Sequence, residues 1–235
     1  ALVVRKDLRK SMLILSLTAF AFSFIFWRPL RYEPEVVMLD VGHGDATFVR
    51  TMTGETLLID AGDASEFADR GRQIVAPFLW ARGITRLDAV MASHTDRDHL
   101  GGLLYIVDNF DVGAAILGAV ESDRPLEQEF LARCVARGVP VLRAKRGDTL
   151  QLGNTALPVF HPMPDWSATT LPNDLSIVAR LDFEATSFLF AGDIERAAEA
   201  SLDLSLIDTD VLKVPHHGAD TSSTTPFINA VTPKY

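Results

Sequence analysis

The sequence predicts an α/β (α+β) protein in which two β-sheets pack face to face, with helices on the outer surfaces and one transmembrane helix in front. Three observations support this fold class. Hydrophobic residues make up 48% of the 235 residues and charged residues 23%, which is typical of a packed globular protein. An uncharged apolar run occupies residues 12–27. After residue 35, short apolar runs bounded by glycine and polar residues alternate with helix-like segments, as in a two-sheet sandwich.

The apolar run at residues 12–27 predicts a membrane-spanning helix. At about 1.5 Å per residue it covers roughly 24 Å, and the flanking residues extend it toward the roughly 30 Å of a bilayer core. Trp27 and Tyr32 occupy positions where interfacial aromatic residues are common. Two alternatives stay open. One is a signal or anchor segment, although W-R-P-L-R-Y is a poor cleavage site; the other is a core helix, which normally has a fuller polar face.

The flanks of this run predict its orientation and divide the chain. Basic residues crowd the segment before the run, which places residues 1–10 in the cytoplasm by the positive-inside tendency, although Arg28 and Arg31 oppose this orientation. We therefore expect a cytoplasmic flank and transmembrane helix at residues 1–34 and one domain at residues 35–235, on the other side of the membrane. Residues 231–235 resemble the start of a further strand, so we expect this domain to be truncated at its C-terminus.

The predicted strands are short apolar runs that end at glycine or polar residues. The run at 175–183 alternates most regularly between apolar and polar residues, as a half-buried strand does. The complete set of predicted strands is 36–41, 46–51, 56–60, 87–92, 114–117, 139–143, 149–152, 155–160, 175–183, 187–190 and 211–214.

Helical periodicity separates these strands. We expect helices at 67–82, 99–110, 125–137 and 195–206, with a last short helix near Pro226. Pro125 is favourable in the first turn of its helix. The single cysteine, Cys134, excludes a disulfide framework and a multi-cysteine zinc module, and its position predicts a small buried residue of the third helix.

Net charge limits the possible partners. The chain has 22 Lys and Arg against 31 Asp and Glu, a formal net charge of −9, and the 200 residues after position 35 alone carry −12. This excludes nucleic-acid binding by nonspecific charge attraction over the whole surface. Contact with a polyanion would then need bound cations or a local basic patch. The candidates for such a patch are Arg133, Arg137, Arg143, Lys145 and Arg146.

Four potential metal ligands lie within six residues, directly after the buried strand at 87–92. They are His94, Asp96, Asp98 and His99, and Gly101-Gly102 follows them. Carboxylates this close together repel each other unless a cation neutralises them. The cluster therefore predicts a metal-binding loop rather than a solvated polar loop.

Other predicted strands also end at candidate ligands. Asp60 ends the strand at 56–60, Asp193 follows the strand at 187–190, and His216-His217 follow the strand at 211–214. Adjacent histidines point in different directions, so we expect one of His216 and His217 to bind metal and the other to act on a ligand or on substrate.

This arrangement resembles the metallo-β-lactamase superfamily, whose hallmark is an H-x-H-x-D-H loop followed by a later metal-binding Asp and a late His. The resemblance covers residues 35–235 and implies an αββα sandwich. It implies a metal site in which Asp193 bridges two ions. The implied ligands are His94, Asp96, Asp98, His99, Asp193, His216 and His217, with Asp60, Asn173 and Asp40 as further possible ligands.

A narrower resemblance rests on three phrases. The phrase L-D-V-G-H-G-D-A at 39–46 resembles L-D-V-G-Q-G-D-A. The phrase N-D-L-S-I-V at 173–178 resembles N-x-x-S-l-V, and V-L-K-V-P-H-H-G at 211–218 resembles v-L-K-v-x-H-H-G. With an apolar span upstream, these phrases are similar to the C-terminal end of the ComEC family of DNA-uptake channels, in which the hydrolase-like domain is proposed to degrade the DNA strand that is not transported.

The sequence departs from the superfamily pattern at three positions. Asp96 replaces the second histidine of the loop, Asn173 replaces the separate mid-chain histidine, and His43 stands where the narrower family has Gln. His161 is an alternative third histidine. Oxygen ligands disfavour zinc relative to manganese or magnesium. We therefore expect a divalent metal ion and favour manganese, with zinc or magnesium as alternatives.

The narrower resemblance implies a function and its partners. We expect a metal-dependent phosphodiesterase or nuclease of a competence (transformation) protein in the bacterial inner membrane. Its partners would be incoming single-stranded DNA, the membrane, other segments of the channel and the uptake machinery. Asp193 and Asp98 would act in catalysis, with His217 or Lys213 stabilising the leaving oxygen. Two alternatives stay open: a non-catalytic domain that guides DNA, and a surface phosphoester or lactone hydrolase.

Overall fold

A computed structural model describes residues 32–65, 67–167, 170–183 and 185–235. The predicted transmembrane helix at residues 12–27 lies outside these ranges. None of the helices within the described ranges combines the length and the apolar character needed to cross a membrane.

Thirteen strands form the sheets of the described chain. Their bounds are β1 Glu35–Met38, β2 Thr47–Arg50, β3 Thr56–Ile59, β4 Arg86–Leu87, β5 Ala89–Met91, β6 Asp111–Val112, β7 Ala115–Gly118, β8 Val141–Ala144, β9 Thr149–Leu152, β10 Thr155–His161, β11 Val178–Phe183, β12 Thr186–Phe190 and β13 Val211–Lys213.

The described ranges contain five α-helices. They are α1 Ala76–Ala81, α2 Arg97–Asn109, α3 Pro125–Arg137, α4 Arg196–Ser201 and α5 Thr225–Val231. A π-helical turn, Gly71–Val75, leads directly into α1, and two 3₁₀ turns lie at Asn173–Leu175 and Pro215–Gly218.

The first sheet has the order β1-β2-β3-β5-β7-β8. Strands β1, β2 and β3 are antiparallel, whereas β3, β5, β7 and β8 run parallel to one another. Parallel strands have their carboxyl ends at one edge of a sheet, so the loops after β3 and β5 leave the sheet side by side.

The second sheet has the order β13-β12-β11-β10-β9, and its strands β12 and β13 are parallel. The loops after β12 and β13 therefore also lie side by side. A separate two-stranded sheet pairs β4 with β6.

Three hydrophobic clusters fix the layers, because alternate residues of each strand point to opposite faces. In β3, Leu57 and Ile59 face the cluster between the two sheets, and Leu58 faces the cluster that contains residues of α2 and α3. In β11, Ala179 faces the inter-sheet cluster, and Val178 joins the cluster with residues of α4 and α5. The layers therefore run helix, sheet, sheet, helix, which confirms the predicted sandwich with outer helices.

Close backbone contacts place α2 against the first sheet. A Cβ at Gly102 would lie 2.1 Å from the carbonyl oxygen of Ala61, so this contact requires glycine. Cys134 is fully buried on α3, as predicted. The helix α2 consequently holds the loop at residues 92–98 in a fixed position above β5.

Two predicted elements are shorter in the structure. The strand predicted at 175–183 begins only at Val178, because Asp174 accepts hydrogen bonds from the N–H groups of Glu195 and Ala198 and holds the preceding residues in a turn. The helix predicted at 195–206 ends at Ser201, since Leu202 is already extended. Both changes occur beside the loop that carries Asp193.

Candidate metal centre

Three loops and the first turn of α2 bring the predicted site residues to one edge of the sandwich. The loop after β5 carries His94 and Asp96, and the first turn of α2 carries Asp98 and His99. Asp193 follows β12, and His217 follows β13. These loops meet because β5 and β12 end at the same edge of the two facing sheets.

Four side chains form the centre of the site. Ligand atoms of Asp45, His99, Asp193 and His217 all lie within 4.8 Å of one another. Nε2 of His99 lies 3.2 Å from Asp193 Oδ2, and Nε2 of His217 lies 3.3 Å from the same oxygen. Asp193 Oδ2 is therefore shared by two imidazoles from different sheets.

A second group adjoins this centre and shares His217 with it. It consists of His43, Asp98 and His217. The Asp98 Oδ2 atom lies 3.3 Å from His43 Nε2 and 3.5 Å from His217 Nε2. His43 is the most exposed member, so this side of the centre opens to solvent.

His94 and Asp96 lie beside the centre. The rings of His94 and His99 are 4.2 Å apart, and His94 Nε2 lies 3.7 Å from Asp96 Oδ2. The other carboxylate oxygen of Asp96 pairs with the guanidinium of Arg124. Hydrogen bonding to His94 and the charge of Arg124 lower the pKa of Asp96 despite its partial burial. Asp96 is thus a carboxylate that already has a cationic partner from another loop.

Asp60 supports His99. Its carboxylate lies 2.9 Å from His99 Nδ1 and accepts a hydrogen bond from the N–H of Ser93 at 2.7 Å. An ionised carboxylate can only accept, so His99 donates through Nδ1 and its Nε2 faces Asp193. Asp60 therefore orients His99 and does not itself reach the centre.

Lys213 supplies a fixed positive charge at the centre. It is the last residue of β13, and its ammonium pairs with Asp45 and lies 3.8 Å from Asp193 Oδ1. Only 14% of its side chain is exposed. The ammonium can thus act on a ligand of the centre without competing interactions with bulk water.

His216 and His217 point to different places because both have left-handed backbone angles, with φ of 49° and 51°. His217 enters the centre. His216 Nδ1 lies 3.1 Å from Glu195 Oε1, and its Nε2 lies 3.4 Å from Asn173 Nδ2. His216 and Asn173 therefore form a neighbouring group outside the central four residues.

Two further candidates lie apart from the centre. Asp40 is exposed and accepts a hydrogen bond from the N–H of Gly42 at 3.1 Å, which closes a local turn. His161 is fully buried, its Nδ1 lies 2.9 Å from the carbonyl oxygen of Ser176, and its ring packs against Trp166. Burial lowers the pKa of His161, which is consistent with a neutral core residue.

The strand-end pattern does not predict Asp45, because Asp45 precedes β2 instead of following a strand. The loop that carries it bends at Gly44, which has φ of 105°. A Cβ at Gly44 would lie 2.1 Å from the carbonyl oxygen of Asp98, and the N–H of Asp45 donates to that oxygen at 3.2 Å. The signal in the sequence is the glycine-flanked phrase at 39–46, which contains both Asp40 and Asp45.

The histidine and aspartate side chains of the centre shift one another's pKa values. Hydrogen bonds to Asp193 and Asp98 raise the pKa of His217 to about 9. Burial opposes ionisation of Asp193, but its interactions with His217 and His99 outweigh burial and leave its pKa well below the usual range. The hydrogen bond from His217 also lowers the pKa of Asp98. Asp193 and Asp98 are therefore ionised carboxylates at neutral pH.

The comparisons with known proteins agree with this geometry. The family model described as "Metallo-beta-lactamase superfamily" matches residues 39–235. The chain belongs to this superfamily. Its members are usually metal-dependent hydrolases. A metallo-beta-lactamase structure from Staphylococcus aureus subsp. aureus COL superposes with a TM-score of 0.52 over 83% of this chain and 58% of that chain, at 16% identity, which supports the fold alone.

Relatives of this metallo-beta-lactamase domain include competence proteins. "ComE operon protein 3" of Bacillus subtilis (strain 168) is 30% identical over 228 residues, covering 91% of this chain and 29% of the relative. "Competence protein ComA" of Neisseria gonorrhoeae is 29% identical over 218 residues, covering 90% of this chain and 28% of the relative. The chain thus spans less than a third of the length of these relatives.

The donor set of this metallo-beta-lactamase site fits a divalent cation. Among the described residues, the buried atoms His99 Nε2, His94 Nε2 and Asp193 Oδ1 make no hydrogen bond of acceptable geometry. Buried polar atoms without such partners are costly, and a metal ion satisfies them. The residues that would hold the ion are Asp45, His99, Asp193 and His217, with Asp98 beside them. Three carboxylates and two imidazoles form the mixed oxygen and nitrogen set that suits manganese.

Proposed function

We propose that this domain is a metal-dependent phosphodiesterase that hydrolyses DNA for a bacterial DNA-uptake (competence) machinery and degrades the strand that is not transported. The observation that carries the proposal is the convergence of Asp45, His99, Asp193 and His217 around buried, unpartnered donor atoms. The likeness to competence proteins over about 90% of the chain supports DNA as the substrate. We favour manganese as the ion and expect two ions, with zinc or magnesium as alternatives.

Hydrolysis of DNA by this domain needs a bound cation because the domain and the DNA are both negatively charged. DNA is a polyanion, and the 200 residues after position 35 carry a net charge of −12. When bound, divalent ions lower the pKa of a water molecule and neutralise the non-bridging phosphate oxygens. They also offset the carboxylates of the site, so that a phosphodiester can approach.

The side chains of the chain have separate tasks in this mechanism. Asp60 holds His99 with its Nε2 toward Asp193, so His99 is oriented before a ligand arrives. The ammonium of Lys213 lies 3.8 Å from Asp193 and stabilises negative charge on the departing oxygen. His43 stands on the exposed side, where a phosphodiester would enter.

The place of the domain in the cell is also part of the proposal. Residues 12–27 would anchor the chain in the inner membrane, with the domain on the extracytoplasmic side. In that position the domain meets incoming DNA before it crosses the membrane, beside the remaining segments of the channel. Reaction of an extracytoplasmic, membrane-impermeant label with cysteines introduced at exposed positions such as Asp182 tests this orientation. Protection of such sites in intact spheroplasts would contradict it.

The test of the activity uses the full 235-residue chain with Mn²⁺ and a single-stranded oligonucleotide. The wild-type chain should cleave the oligonucleotide, and Asp193→Asn should reduce kcat/KM about 100-fold or more, because it removes the carboxylate shared by His99 and His217. Asp182→Asn is the matched control, since Asp182 is an exposed residue of β11. Metal analysis of both proteins shows whether the loss of activity follows loss of the ion.

A non-catalytic role in guiding DNA is the second candidate. Asp96 pairs with Arg124, and Asn173 donates to Glu195 at 3.2 Å, so the two residues that replace histidines of the superfamily pattern have other partners. DNA binding without cleavage in any of Mn²⁺, Mg²⁺ or Zn²⁺ would favour this role. Hydrolysis of a choline phosphate ester or a lactone, with DNA untouched, would instead indicate a surface hydrolase of the same superfamily.

A further inference from the structure

A cavity of about 320 Å³ lies near the metal centre, and its lining includes His94, whose ring is 4.2 Å from that of His99. This volume is at the lower end of the roughly 300–1,000 Å³ found for pockets that bind small organic ligands. The cavity is formed by the loop after β7, the start of α3, and the segment before the Asn173–Leu175 turn. It is too small for a duplex and large enough for part of one nucleotide.

The walls of the cavity combine apolar surfaces with a fixed hydrogen-bond donor. Val120, Pro172 and Leu175 supply apolar sides. Arg143 donates through Nη1 to the carbonyl oxygen of Gly118 at 3.0 Å, and its Nη2 lies 2.7 Å from Glu127 Oε1. These contacts hold the guanidinium in one orientation, and its remaining N–H groups can donate to a ligand.

Both arginines that line the cavity already have acidic partners. Arg143 pairs with the fully buried Glu127, and Arg124 pairs with Asp96. Asp123 adds another negative charge to the lining. A free phosphate would gain little from cations that are already neutralised. A neutral, planar ligand with hydrogen-bond acceptors fits the apolar sides and the oriented guanidinium better.

We propose that this cavity holds one nucleobase of single-stranded DNA while the metal centre holds the adjoining phosphate. This inference rests on the proposed function and specifies single-stranded DNA as its substrate. Apolar side chains pack on the faces of an extruded base, and arginine donates to acceptors such as O6 and N7 of guanine. A base that is paired and stacked in a duplex cannot enter, so the site selects single strands or frayed ends.

The first experiment measures binding without catalysis. The probe is 2-aminopurine 2′-deoxyriboside, a fluorescent nucleoside that has no phosphate to bind the metal centre or to be hydrolysed. The full chain should give a saturable fluorescence change, Val120→Trp should abolish it by filling the cavity, and inorganic phosphate should not compete. An absence of saturable binding, or equal competition by phosphate, overturns the inference.

The second experiment compares two substrates of the Mn²⁺-loaded chain. The ratio of kcat/KM for a single-stranded oligonucleotide to that for bis(4-nitrophenyl) phosphate, which has no nucleobase, should fall about tenfold in Val120→Trp and in Arg143→Lys. Arg143→Lys keeps the positive charge opposite Glu127 but removes the oriented guanidinium, so it tests that hydrogen-bond donor. It also provides a test if Val120→Trp fails to fold. Val135→Gln, a change at an exposed position of α3, is the matched control. An unchanged ratio in both cavity variants overturns the inference.

The two experiments separate the inference from the proposed function. Saturable, Val120-dependent nucleoside binding in a chain that cleaves no phosphodiester supports the base site and rejects the phosphodiesterase. Cleavage of the oligonucleotide with the same kinetics in wild type and Val120→Trp supports the phosphodiesterase and rejects the base site.

Discussion

Asp60 and His99 form a buried pair in which Nδ1 of the imidazole donates to the carboxylate at 2.9 Å. Asp60 has a left-handed backbone, with φ of 59°, and follows β3, whereas His99 lies in the first turn of α2. The pair thus joins a sheet to a helix and fixes the face that His99 turns toward Asp193.

We expect Asp60→Asn to weaken Mn²⁺ binding by about 10- to 100-fold, because supporting partners of metal-bound histidines contribute to affinity by that amount. Asn tolerates the left-handed backbone at this position, so the change tests the carboxylate and not the turn. Isothermal titration calorimetry with the full chain measures the affinity. Wild-type affinity in Asp60→Asn would show that His99 needs no carboxylate partner.

Asp45 and Asp40 lie in one phrase, and the structure places only Asp45 at the centre. Asp45→Asn should lower Mn²⁺ affinity at least tenfold, since it removes a charged donor that also pairs with Lys213. Asp40→Asn is its matched control and should bind Mn²⁺ as the wild type does. The reverse result would identify Asp40 as the ligand and contradict the geometry.

Gly44 permits the contact between the Asp45 loop and α2. Gly44→Ala should lower the free energy of unfolding by about 1–3 kcal/mol or more and weaken Mn²⁺ binding, because the new Cβ meets the carbonyl oxygen of Asp98. Gly138→Ala separates backbone strain from this clash: Gly138 has φ of 69° with no atom within 4 Å of its Cβ position. That control should cost about 1 kcal/mol and leave metal binding intact. Urea unfolding and calorimetry measure the two effects.

The metal-free chain should lose stability as the pH rises above neutrality through His217. Its pKa is raised from 6.5 to about 9 in the fold, so protonation stabilises the folded chain. This contribution is complete below pH 6.5 and is lost as the pH rises from 6.5 to 9. The difference in urea midpoint between pH 6.5 and pH 9.5, measured in EDTA, should be larger for wild type than for His217→Gln. Equal differences in the two proteins would mean that protonation of His217 does not stabilise the folded chain.

The strand ends could be predicted from the sequence because each apolar run stops at a polar residue. Asp193 and the loop with His94 and His99 follow directly from that pattern, and the parallel strands β3 and β5 bring Asp60 and His99 together. This prediction uses the residue at which each apolar run ends and does not need the exact bounds of the strands. The later start of β11, at Val178, therefore does not affect the predicted site residues.

Other parts of the site depend on contacts between distant segments, which periodicity does not reveal. Asp96 is paired with Arg124, 28 residues further along the chain. The separation of His216 from His217 depends on two left-handed backbone angles in succession. Asp45 reaches the centre through a bend at Gly44. In each case a backbone angle or a packing distance determines where the side chain lies. Neither can be predicted from the pattern of apolar and polar residues.

The residues at the centre span most of the domain, from Asp45 before β2 to His217 after β13. During synthesis, a ribosome-bound chain that lacks the last strands would have Asp45 and His99 but neither Asp193 nor His217. Such a chain would bind the ion weakly, because the unfinished second sheet supplies half of the donors. The complete metal centre would therefore form late, once translation and docking of the C-terminal sheet are complete.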